Sequence, residues 1–242
     1  MSEAGFNRTN DNIEWARWTW NPVTGCKTGC PYCYARDIAL QDRKTWPRGF
    51  EPDFRQDRLS APQHTRVPSG AELDPGLRSV FVCSMADLFG DWIPQEWIEA
   101  VLAEVRRAPQ WTFLFLTKFP ARLVGIEWPA NAWVGTTVDR QERVKPAEEA
   151  FQRVKASVKF LSCEPLLEEL TFSSLEPFNW LIIGARSSTR KLPAFQPDRA
   201  WLISLMRQAR QAGVKVYVKP NVQMADRPRE YPQAAPVQGR LL

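Results

Sequence analysis

The chain has 242 residues, 44% hydrophobic and 24% charged, which is near the globular average and excludes a disordered or fibrous protein. No apolar run approaches the roughly 18 residues a membrane span requires, and the opening MSEAGFNRTNDN lacks a signal peptide's basic-then-apolar layout, so the expectation is a cytoplasmic protein with no membrane partner. Lys and Arg outnumber Asp and Glu by 32 to 27, for a net charge of +5 and a pI near 9.1, which favours a polyanionic partner; the single histidine, His64, excludes His-based triads and His-rich zinc sites.

The first strand is expected from Trp18 to Val23. Three of the five cysteines follow it at once, in Cys26-Lys27-Thr28-Gly29-Cys30-Pro31-Tyr32-Cys33, a C-x3-C-x2-C spacing. Without an export signal and with an odd cysteine count, a disulfide framework is not expected. Three soft thiolate ligands on one tight loop suit a metal centre. An iron–sulfur cluster is favoured over zinc, because a closed zinc site needs a fourth ligand, which His64, Cys83 or Cys163 would have to bring from elsewhere. Three thiolates on a cubane cluster leave one iron open for chemistry.

A helix is expected from Tyr34 to Arg43, then a proline-rich excursion at 44 to 78 with Arg48, Arg55, Arg58 and Arg66, read as either a lid or a packing arm. Strands follow at Ser79 to Cys83, Thr112 to Leu116, Ala132 to Gly135, Val158 to Leu161, Trp180 to Ile183 and Lys215 to Val218. Helices are expected at Pro94 to Arg107, Lys145 to Val154, and Asp198 to Ala212, the last opened by an Asp cap and closed by Gly213. A polar tail runs from about 220.

Short apolar strands alternating with helices predict an α/β fold, a partial TIM-like (β/α) barrel of about six to seven parallel strands in one domain spanning 1–242 and expected to be a monomer. Polar residues follow the strands at equivalent places: Ser84, Met85 and Asp87; Thr117 and Lys118; Thr136 and Thr137; Cys163 and Glu164; Gly184 to Ser188; and Lys219. In such a barrel the strand ends line one mouth, so these segments are expected to converge on the cysteine loop.

The C-x3-C-x-Tyr-C loop resembles the cluster loop of the radical S-adenosylmethionine (radical SAM) superfamily. That resemblance implies a [4Fe-4S] cluster on Cys26, Cys30 and Cys33, S-adenosyl-L-methionine on its open iron, a 5′-deoxyadenosyl radical, and an electron donor such as flavodoxin or ferredoxin. It places Tyr32 beside the adenine and Asp87 near the methionine amino group, with Ser84, Met85, Thr117, Thr136, Thr137, Glu164 and Gly184 as further cofactor contacts. Cys163, Glu164 and Lys118 are the catalytic candidates, Cys163 as a hydrogen-atom donor.

The runs IEWARWTWNPVTGC, CYARDIA, VFVCSMADLFGDWIP, FLFLTKFPARL, WVGTTVDRQE, KFLSCEPLL and NWLIIGARSS are similar to the ordered motifs of a small phage-associated radical-SAM-like family. Its members have a longer gap between the first two cysteines, and a Gly-Gly-Glu-like run where this chain has Gly184-Ala185-Arg186. The implied activity is radical modification, rearrangement or repair of a nucleobase in DNA, a hypermodified thymidine among the candidates. A peptide or small-metabolite substrate, or a zinc- or cluster-stapled nucleic-acid-binding module without catalysis, are the alternatives.

Overall fold

The computed structural model describes residues 5–9, 13–42 and 44–233. Among them, β2 (Trp18–Trp20), β5 (Ser79–Val82), β6 (Thr112–Thr117), β7 (Ala132–Thr137), β8 (Val158–Cys163), β9 (Trp180–Ile183) and β10 (Lys215–Val218) pair in parallel in that order. A short β1 (Asn7–Arg8) adds antiparallel to β2, giving eight strands. β1 and β10 stay unpaired with each other, so this is an open, partial barrel of the expected α/β class.

The expected first strand divides. Pro22 has no N–H to give a ladder, and the chain leaves the main sheet there, so that β3 (Val23–Thr24) pairs instead with β4 (Asp53–Phe54). The excursion is therefore structured. Its α2 (Gln56–Leu59) and α3 (Ala61–His64) are tied to the barrel by two indoles, Trp20 Nε1 donating to the Arg58 carbonyl (2.8 Å) and Trp111 Nε1 to that of Pro62 (3.2 Å). This is the packing-arm arrangement.

The long helices cover the outer face. α4 (Gln95–Arg107), α5 (Val144–Phe151) and α6 (Arg199–Gln211) bury Ile98, Val101, Ala147, Phe151, Leu202 and Leu205 against Val80, Val82, Phe113, Phe115, Val134, Leu161 and Ile183. Asp198 caps α6 through the Ala200 N–H (2.7 Å). Helix α1 (Tyr34–Gln41) follows the cysteine loop; Arg43, expected at its end, lies outside the described residues, as do 234–242 of the tail.

Because side chains alternate along a strand, the other half of each strand points inward. Leu114, Phe160, Trp180, Ile182 and Tyr217 form a second, inner cluster with Trp15 and Ala16 from the segment before β2. Trp15 lies 4.7 Å from the Phe81 ring and 6.2 Å from that of Phe160. Together these rings form an aromatic floor. The part of the tail at 228–230 runs antiparallel beside β10, with the Val218 N–H on the Pro228 carbonyl (2.8 Å) and the Glu230 N–H on that of Val216 (3.0 Å).

Candidate functional site

Above the floor, the strand ends and the cysteine loop enclose a cavity of about 320 Å³. The loop begins at Gly25, whose φ of +83° and lack of a Cβ are both required, since a Cβ there would sit 2.1 Å from the Glu51 carbonyl oxygen. The Gly25 N–H donates to the Met85 carbonyl (2.9 Å) and the Cys26 N–H to that of Phe50 (3.0 Å), so the loop is clamped between the β5 end and the excursion. Cys33 caps α1 through its sulfur, which accepts from the Arg36 N–H (3.4 Å), and the Arg36 guanidinium donates to the Cys30 carbonyl (2.8 Å).

Cys26, Cys30 and Cys33 all line the cavity and are all half-buried. Partial burial raises the Cys26 and Cys33 thiols above the ordinary 9.0. Among the described residues no three His, Cys, Asp or Glu side chains form a group that could hold a single metal ion. The fit to a cluster rests on donor chemistry: three thiols, carried on one clamped loop, face one enclosed space.

Around them the expected strand-end residues fall into two sets. Ser84, Asp87, Thr117, Lys118, Thr137, Glu164 and Lys219 line the cavity with Tyr32. Asp87 is buried and spends its carboxylate on three donors, the Thr117 hydroxyl (2.6 Å) and the N–H groups of Lys118 (2.9 Å) and Phe89 (3.2 Å). Burial raises its pKa above the ordinary 3.8 despite those bonds. It does not cap the following helix, which opens at Pro94. Glu164 pairs with Lys219, whose side chain is buried. Ser84, Thr19 and Asn21 share hydrogen bonds of 2.7 to 3.2 Å.

Tyr32 has a partner the sequence reading did not include. Its hydroxyl donates to Asp139, buried just beyond β7, and Asp139 also forms an ion pair with Arg143 (2.9 Å). The Lys118 ammonium lies 5.8 Å from the Tyr32 ring centre. Desolvation and the Asp139 carboxylate push the Tyr32 phenol well above its ordinary value. Asp139 lies two residues beyond Thr137, past the end of β7.

Four expected site residues are placed elsewhere. Cys163, offered as a hydrogen-atom donor, is fully buried in the outer cluster, one residue out of phase with the inward Ser162 and Glu164. Thr136 is likewise out of phase and donates to the Thr117 carbonyl (2.9 Å). Met85 contributes its backbone to the loop clamp and not a side chain to the cavity. Gly184 lies behind the Glu164–Lys219 pair, where a Cβ would come 2.8 Å from Glu164 Cγ. Of the two cysteines outside the loop it is Cys83 that lines the cavity, held at a left-handed φ of 59°, its thiol pushed up to about 12 by burial.

A family model described as "Protein of unknown function (DUF5131)" matches residues 10–239. No curated protein matches the chain. Among solved structures it is similar to spore photoproduct lyase complexed with dinucleoside spore photoproduct, at 11% identity and a TM-score of 0.45 over 88% of this chain and 78% of that one. A mutant of spore photoproduct lyase gives 11% identity and 0.46 over 89% and 80%.

Proposed function

We propose, for a chain that belongs to the DUF5131 family, that it is a radical SAM enzyme acting on a nucleobase in DNA. The observation that carries this reading is the convergence of Cys26, Cys30 and Cys33 on one cavity with the inward polar ends of the parallel strands. Cys26, Cys30 and Cys33 would hold a [4Fe-4S] cluster. When bound, such a cluster supplies one electron, drawn from a flavodoxin- or ferredoxin-type donor, to break the sulfur–C5′ bond of S-adenosylmethionine, giving methionine and a 5′-deoxyadenosyl radical.

The chain's own groups bind and shield. Asp87 and Glu164 offer carboxylates to an ammonium group and Lys118 offers a cation to a carboxylate, matching the two charges of a methionine moiety. Tyr32 carries Lys118 against its ring and presents the rest of the ring to an adenine, its orientation fixed by Asp139. The apolar walls, Phe81 and Leu116 among them, exclude water from a reactive carbon radical. Cys163 has no part in this arrangement, since it faces the helices.

The DNA assignment draws on the net charge of +5. A second reading, a peptide or small metabolite as substrate, is favoured by the excursion's arginines: Arg48 is paired with Asp53 (2.8 Å), and Arg55 and Arg58 with Asp57 (3.3 and 3.9 Å). DNA affinity that falls steeply as salt rises supports the first; its absence supports the second.

Anaerobic reconstitution tests the enzyme reading itself. Iron and sulfide should be retained together and 5′-deoxyadenosine released under reductant, and Cys26→Ala, Cys30→Ala and Cys33→Ala should each abolish both. Stoichiometric zinc without iron would overturn it.

A further inference from the structure

The residues that leave the end of β9, Arg186 to Phe195, form a strap along the mouth of the cavity. Its two ends pair through backbone hydrogen bonds between Arg186 and Phe195 (3.1 and 2.9 Å), and within that closure the Thr189 N–H donates to the Leu192 carbonyl (2.8 Å). The tip reaches across to α1, where the Arg190 N–H donates to the Asp37 carboxylate (2.9 Å), 153 positions away in sequence. The near arm, Arg186 to Thr189, lines the cavity.

The charge of this strap is one-sided. It carries Arg186, Arg190 and Lys191 and no acid. None of the three forms an ion pair among the described residues. Asp37, the carboxylate that touches the strap, meets a backbone N–H and neither tip cation. Of the cations lining the cavity, Lys219 is paired with Glu164, and Lys118 faces the methionine carboxylate in the proposed function. Arg186 is left over. Its guanidinium lies 5.3 Å from the Phe195 ring centre and gives only its Nε, to the Pro193 carbonyl (3.2 Å). Stacking thus holds the plane of the group, and its two terminal nitrogens are left to an outside acceptor.

The surroundings say which anion fits. A guanidinium fork matches paired phosphate oxygens, and phosphates also accept from serine hydroxyls, which the exposed Ser187 and Ser188 supply beside it. Three cations in series on one strap suit an anion that repeats along a chain. Just inside stand Tyr32 and Phe81, and aromatic faces behind a basic groove bind single-stranded nucleic acid with its bases inward and its phosphates outward.

We propose that the strap is the phosphodiester contact for a single-stranded or extruded segment of DNA. Arg186, Ser187 and Ser188 hold the phosphate of the nucleotide that enters the cavity, and Arg190 and Lys191 hold the phosphates next to it. This rests on the DNA half of the proposed function and not on its radical chemistry, since no cluster is needed to hold a phosphate.

The test uses the full chain with no iron added and a fluorescently labelled oligothymidylate of about ten nucleotides, its anisotropy read at stepped salt. Arg190→Gln with Lys191→Gln removes two exposed charges. It should weaken binding ~10-fold at low salt and flatten the log–log salt slope by ~1.4, from ~0.7 per phosphate contact on a single strand. Adding Arg186→Gln should flatten it by a further ~0.7. The control, Arg207→Gln with Arg210→Gln, removes the same charge from the exposed side of α6 and should leave the slope as it was. Equal effects of the two double variants would reduce the strap to net charge and overturn the proposal, as would a polyglutamate peptide that competes on equal terms with the oligonucleotide. If the wild type binds DNA and the strap variants keep its slope, the proposal fails and the DNA reading stands. If the wild type does not bind DNA, both fail.

Discussion

The lower and upper halves of the barrel interior are built on the same strands and the same side of the pleat, yet they follow opposite rules. Below, Trp133, Phe160, Trp180 and Tyr217 meet ring against ring, with centroids 5.8 to 6.1 Å apart around Trp180. Two to four residues further along those strands stand Thr137, Ser162, Glu164 and Lys219, where rings give way to polar side chains and Glu164 and Lys219 form an ion pair. The floor supplies burial, which is additive and tolerant. The rim holds the Glu164–Lys219 ion pair, in which losing one member strands the other. Stability and chemistry are thus separated along the strand axis by about two residues.

The sharpest challenge to that division is Trp180→Ala, which removes the ring packed against Trp15, Trp133, Phe160, Tyr217 and Tyr231. It should cost about 3–5 kcal/mol in guanidinium unfolding; a smaller loss would mean the floor is not the main support. Lys219→Met acts on the rim and leaves Glu164 without its buried cation, for about 3 kcal/mol. Adding Glu164→Gln should recover part of that loss, and a purely additive double variant would show the two are not coupled.

Gly135→Ala falls on the boundary between the halves. Its new Cβ would sit 2.4 Å from the Phe160 ring, so stability should drop by about 1–3 kcal/mol through overpacking. A paired Phe160→Leu should relieve it. The smallest effect is electrostatic. Asp87 is raised by burial in the folded state, so the folded chain binds its proton more tightly than the unfolded one, and stability should fall as pH rises from 3.8 through the folded value. Asp87→Asn should flatten that slope in urea titrations at stepped pH; an unchanged slope would assign it to another group.

Strand positions were legible because short, continuous apolar runs alternate with helical spacers, and Trp180–Ile183 and Lys215–Val218 fall where expected. Phase was not. A strand buried on both faces, such as Trp-Leu-Ile-Ile, reads as apolar at every position and does not reveal which residues face inward. At the strand ends the same ambiguity covers adjacent residues, Thr136 with Thr137 and Cys163 with Glu164, of which one in each pair lines the cavity. The cysteine loop was legible by spacing alone, because its residues are local. Its anchor to Asp139 crosses 107 positions of sequence and became visible only in three dimensions.

The tail residues beside β10 have a consequence outside the site. An open sheet ends in two rows of unpaired backbone groups, and such edges template the addition of strands from other molecules. Here one edge is shielded by the two residues of β1 and the other by 228–230, with Arg229 fastened to Glu14 (2.8 Å) near the opposite end of the chain. These short segments act as guards against self-association, so a chain cut before Arg227 would be expected to keep its cavity and to self-associate through the bared edge.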